Sequence, residues 1–217
     1  MVVDLPLFPL GTVLFPHMPL ALHIFEERYR EMMRDCRRSG TTFGVVAIRE
    51  GAEVGGPAAP YRVGTLAQQR DVEELPDGRY NLMVVGASRF HIDSLSRLRP
   101  YLIGSVRYLE DAPAQPHETA SLAQTVWTAF RVYTAKLRGD GDEDAGDDEP
   151  MPDDPELLAY LVAASLQVET ARRQQLLELD DTTARLRGCL ALLRREAVLL
   201  DRMLSQARPP AAMASLN

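Results

Sequence analysis

LPLFPLGTVLFPHMPLALHIFEERYREMM, residues 5–33, contains the most apolar and strand-like stretch of the chain, and four prolines punctuate it: Pro6, Pro9, Pro16 and Pro19. Each removes a backbone donor, so the spacing predicts strand edges and a corner instead of the middle of a sheet. Two strands are expected, one over 5–10 and one over 13–15 that continues through 20–24, with Gly11 at the first turn and residues 16–19 as the corner. The period then changes. Tyr29, Met32, Met33 and Cys36 recur at i, i+3, i+4 and i+7, one buried face of a helix. Glu26 and Glu27 open that helix, Arg34, Arg37 and Arg38 close it, and Ser39–Gly40 stop it, a charge order that complements the helix dipole.

Working outward, strands are expected over 43–48, 61–71, 80–92 and 101–109, with Pro76, Asp77 and Gly78 in a hairpin turn and Gly86 marking a bulge or bend. Alternation along the third of these sends Phe90 to the core and Arg89 to the opposite face as a boundary residue whose loss should matter little. Beyond Glu110 the pattern turns helical: 122–137, a helix capped by Asp154 with Pro155 at its first position, a short helix through Leu176 and Leu177, and a long one from Asp181 to about Leu204. The fold class is therefore α+β: a small β-barrel with one helix over 1–112, then an α-helical bundle over 113–208. Ten acids fall between Gly139 and Glu156, where Met151 is the sole large apolar residue, so 139–154 is expected to be a disordered acidic loop.

The 217 residues are 46% hydrophobic and 25% charged, enough for a real core. No apolar run approaches the roughly 18 to 20 residues of a membrane span, and the N-terminus lacks the pattern of a secretory signal, so a cytoplasmic location is expected. Cys36 and Cys189 each fall on an apolar helix face and are expected to be buried thiols.

Several chemistries lack their residues. The single lysine, Lys136, stands in no GK[ST] motif and beside no candidate serine, which excludes a P-loop and a Ser-Lys dyad. His17, His23, His91 and His117 have no paired spacing, so neither a metal nor any other cofactor is expected. Arginines crowd the first helix, but Glu26, Glu27, Glu31 and Asp35 are interleaved with them. Nucleic-acid binding is accordingly the alternative reading and not the first.

The opening stretch, with VGTLAQ at 63–68, LPDGRYNLMVVGASRFHI at 75–92, YLIGSV at 101–106 and RQQLLELDDTTARLRGCLALLRRE at 173–196, resembles the Lon substrate-binding family. This is the N-terminal domain of Lon proteases, which also occurs as a free-standing protein. The resemblance implies a PUA-like β-barrel followed by a helical bundle, without the ATPase and protease domains of Lon. It also implies a non-enzymatic, peptide-binding role in protein quality control, as an adaptor or regulator that recognises unfolded or tagged polypeptides alongside a protease or chaperone. The alternative is an RNA-binding PUA-like protein; a homo-oligomer is compatible with either. The sequence departs from the family pattern at His17, where relatives carry a small residue such as glycine, and in the acidic insertion. No catalytic residue is expected. His17 and Met18, at the proline corner, are the expected border of an apolar peptide-binding surface, with Tyr29 and Tyr101 as neighbours.

Overall fold

A computed structural model describes residues 2–55, 58–112, 116–138 and 150–207. The strands are β1 (Val2–Leu10), β2 (Pro19–Ile24), β3 (Phe43–Gly51), β4 (Ala58–Glu74), β5 (Tyr80–Ser96) and β6 (Leu102–Tyr108), with α1 (Glu27–Ser39) between β2 and β3. Four further helices follow: α2 (Pro116–Arg138), α3 (Pro155–Ser165), α4 (Thr170–Glu178) and α5 (Thr182–Ala207). The sheet order is β2-β5-β4-β3-β1-β6, and β5 also pairs with β6, so five of the strands form a closed cycle of neighbours. β2 lies outside the cycle, paired with β5 alone.

Pro6 and Pro9 lie within β1, which is flanked by β3 and β6, and not on a sheet edge as the spacing predicts. The reason is a change of partner: residues 2–7 pair antiparallel with β6, and residues 7–10 pair parallel with β3. Each proline therefore has one unladdered side, on which a missing N–H costs nothing. Residues 13–15 form no strand; the chain crosses there to the corner, and β2 begins at Pro19.

Inside the cycle, Leu5, Leu7, Val46, Phe90, Ile92, Leu102 and Val106 form one buried cluster. Phe90 fills its middle: a β-carbon on Gly44 or Gly64 would lie within 2.7 Å of the Phe90 ring. α1 covers a second cluster through Tyr29, Met32, Met33 and Cys36, the face given by its periodicity, each side chain contributing roughly 1.5–3 kcal/mol when fully buried. Gly40 ends the helix at φ 66°, in the left-handed region. The largest cluster joins the helices to the strands, with Phe15, Ala47 and Val63 packed among Trp127, Leu158, Tyr160 and Leu186. Both thiols are buried, which pushes Cys36 up to about 11 and Cys189 up to about 12.

The expected bulge at Gly86 is present: Thr65 pairs with Arg89 and Ala67 with Gly86, so β5 carries an extra residue. The corner docks there. His17 N donates to the Gly86 carbonyl at 2.8 Å, Gly86 N donates to the Met18 carbonyl at 3.0 Å, and a β-carbon on Gly86 would stand 2.1 Å from the Phe15 oxygen. His17 adopts φ 65°, in the left-handed region that glycine accepts freely and histidine does not.

Arg89 departs from expectation. It points away from Phe90, as alternation requires, but is only 3% exposed. Its guanidinium donates to the carbonyls of Leu177 at 2.7 Å and Leu179 at 2.8 Å and pairs with Asp111. The expected loop at 139–154 is described only from Pro150 onward. Met151 packs against the helical cluster and the Asp154 side chain caps α3 by accepting from Glu156 N at 2.8 Å, so these residues are ordered parts of the fold, while 139–149 lie outside the described residues.

Candidate functional site

Among the described residues no strand pairs with the outer edge of β2. Along that edge runs an open groove of about 210 Å³, lined by every residue from Leu20 to Glu26, by Phe8 and Leu10 of β1, by Tyr29 of α1, and by Glu53 and Val54. Because consecutive residues of β2 all line it, the groove meets the strand edge-on. Backbone groups and apolar side chains are therefore presented together.

Short polar contacts hold the far wall. Gly11 N donates to the Glu53 carboxylate at 2.7 Å and Arg28 donates to the Glu53 carbonyl at 3.2 Å. Tyr29 is nearly covered, set edge-on to Phe8 with ring centroids 4.5 Å apart and topped by the Arg28 guanidinium at 4.5 Å; burial pushes its phenol up. Phe25 and Val54 stay 48% and 56% exposed, an apolar rim open to solvent. The volume lies below the roughly 300–1,000 Å³ of pockets that enclose small molecules. It suits one or two side chains of a chain lying across it, and an unpaired strand edge offers the ladder such a chain needs.

The residues expected to form the site fall in two separate places. Tyr29 and Tyr101 line a second, smaller cavity and are both buried, at 4% and 5% exposure. His17 and Met18 lie elsewhere: the His17 ring is exposed with its centroid 6.3 Å from Tyr160 of α3, and Met18 packs on the helical cluster. The corner is turned toward the helices because its backbone is tied to Gly86, which separates it from the tyrosines. Sequence reasoning missed Phe25 and Val54. Phe25 breaks the alternation of LALHI by placing an apolar side chain on the outward side with His23, which is a local signal; nothing local marks Val54, which reaches the groove only through the fold.

The arginines of α1 are held by acids: Arg28 by Glu26, Arg30 and Arg34 by Glu27, Arg37 by Glu74 and Arg38 by Asp35. They form a paired surface and not a basic stripe. Among the described residues no group of three or more His, Cys, Asp or Glu is placed to hold a metal ion, and no helix is long and apolar enough to cross a membrane.

The chain thus combines a mixed α+β fold, a closed cycle of strands and a strand edge that opens onto an apolar groove. The model of the ATP-dependent protease La (LON) substrate-binding domain matches residues 4–195, and the chain belongs to that family. It is 32% identical over 212 residues to the Lon protease of Desulfovibrio desulfuricans, covering 94% of this chain and 24% of that protein. It is 28% identical over 201 residues to the Lon protease of Escherichia coli, covering 92% and 26%. The chain thus spans about a quarter of the length of these relatives, and the match is to the substrate-binding domain, not the protease domain. Among solved structures, the Lon N-terminal domain protein from Xanthomonas campestris superposes with a TM-score of 0.64 at 28% identity, over 87% of this chain and 98% of that one. The N-terminal domain of a Mycobacterium avium complex Lon protease gives 0.67 at 18% identity, over 88% and 98%, a likeness of fold.

Proposed function

We propose that this chain is a non-enzymatic polypeptide-recognition module, an adaptor or regulator in protein quality control, and that it takes extended, apolar segments along the outer edge of β2. The observation that carries the reading is the coincidence of an unpaired strand edge with an apolar groove lined continuously by Leu20 to Glu26. The match to a substrate-binding domain supports this reading, in which the ligand is an unfolded or tagged polypeptide and a protease or chaperone is the partner that receives it. The same reading takes the closed strand cycle as a PUA-like barrel over 1–112 and the later helices as a bundle over 113–208. It also places the protein in the cytoplasm.

Fluorescence anisotropy with a carboxymethylated, permanently unfolded protein tests the proposal. Micromolar binding is expected, and Phe25→Asp with Val54→Asp should weaken it at least tenfold without moving the thermal midpoint, since both side chains are half exposed. Unchanged binding by this double variant would move the site elsewhere. Incubation with casein and ATP should give no cleavage; ATP-dependent proteolysis by the pure protein would end the non-enzymatic reading.

A further inference from the structure

The second cavity shares Tyr29 with the groove, and its charged lining is of the opposite sign. It has a volume of about 90 Å³, and its lining includes Arg28, Arg97 and Arg99 with Tyr29 and Tyr101, but no carboxylate. The groove, by contrast, is lined by Glu26 and Glu53. Two of the three guanidiniums are already balanced from outside the lining: Arg28 by Glu26 at 3.0 Å and Arg99 by Asp35 at 3.0 Å. Asp35 is itself committed, since it also pairs with Arg38 and accepts the Tyr101 hydroxyl at 2.7 Å. Arg97 is different. Its one hydrogen bond is to the Ala58 carbonyl at 3.4 Å, beyond the usual range, and no acid pairs with it among the described residues. An exposed, planar guanidinium with no acid partner among the described residues, at a small pocket whose lining holds three arginines and no carboxylate, matches a carboxylate, which two parallel N–H groups can grip at once.

We infer that this cavity is a carboxylate receptor in which Arg97 grips an acidic group of the polypeptide whose neighbouring apolar side chain occupies the groove. Tyr29 is the shared wall, and Arg28, stacked on its ring and bonded to the Glu53 carbonyl, links the two compartments. The cavity is too small for a nucleotide or a folded surface, but it accommodates the carboxylate of a glutamate or of a chain terminus. This inference rests on the reading of the groove as the polypeptide site, and it adds a charge requirement to that site.

The test uses three rhodamine-labelled ten-residue peptides of alternating leucine and serine: one amidated, one with a free terminal carboxylate, and one amidated with a glutamate replacing a serine. At 50 mM salt at least one carboxylate peptide should bind the wild-type protein about tenfold more tightly than the neutral one. Which of the two gains identifies the source of the group. Arg97→Gln should remove the difference while leaving the affinity for the neutral peptide unchanged, and raising the salt to 300 mM should narrow the gap. Equal binding of all three peptides, lost with Phe25→Asp and Val54→Asp, would overturn the receptor and keep the groove; a carboxylate preference that survives Arg97→Gln would also overturn it. If none of the peptides binds, the groove reading falls and the receptor falls with it.

Discussion

Arg89 of β5 and Arg185 of α5 hold one carboxylate between them, that of Asp111, and both also donate to the Leu179 carbonyl just past α4. The end of a helix presents unsatisfied carbonyls and partial negative charge, which two buried cations satisfy. Arg185, fully buried, also stacks on the Tyr160 ring at 4.3 Å, so one cluster binds a strand, three helices and the segment before α2. Burying charge is costly, and it is tolerated here because nearly every donor has a partner.

Arg89→Ala is therefore expected to destabilise the protein by about 3 kcal/mol, the same order as the roughly 3–5 kcal/mol expected for Phe90→Ala, although one side chain is charged and the other apolar. Arg89→Lys should recover little, because an ammonium cannot span two carbonyls and a carboxylate in one plane. Urea unfolding of the three variants measures this. A loss below about 0.5 kcal/mol for Arg89→Ala would make the cluster ornamental.

The corner yields a paired prediction of opposite sign. Gly86→Ala should cost more than about 1–3 kcal/mol, since the new β-carbon meets a backbone oxygen that cannot swing aside. His17→Gly should be neutral or stabilise by up to about 1 kcal/mol by relieving the left-handed residue. Thermal midpoints of the two single variants decide it, and a lower midpoint for His17→Gly would show that its ring near Tyr160 outweighs its backbone.

Asp35 sets an acid limit. The Tyr101 hydroxyl, with Arg99 and Arg38 nearby, holds its carboxyl below the usual carboxylate range. A depressed folded value adds stability above the unfolded value, near pH 4, and that stability fades as pH falls through the folded value. Tyr101→Phe should raise the Asp35 pKa, read by NMR titration, and should cost roughly 1 kcal/mol at neutral pH but less at pH 3. An equal loss at both pH values would mean that Tyr101 acts through packing alone.

What the sequence disclosed follows from the range of each interaction. α1 was legible because its apolar spacing, charge order and stop at Gly40 all lie within fifteen residues, and the hairpin at Pro76–Gly78 because its turn chemistry is local. Arg89 was misjudged for the opposite reason. A lone arginine in an alternating strand resembles a solvated position, and its partners at Asp111, Leu177 and Leu179 lie far along the chain. The groove was illegible because its walls come from β1, β2 and the segment after β3, and the expected site residues were divided by a corner whose direction is set by hydrogen bonds to Gly86.

The change of partner in β1 also bears on the order in which the fold is made. Its first half closes the strand cycle against β6, from Val2 opposite Arg107 to Leu7 opposite Leu102, a separation of about 100 residues. Its second half pairs with β3, from Leu7 opposite Gly44, after fewer than 40. During translation Leu7–Leu10 have a partner while Val2–Pro6 do not, and the entropy of closing the longer loop is met only once β6 has emerged. Pro6, with no N–H to offer, is well placed to keep that waiting edge from pairing with a neighbouring nascent chain.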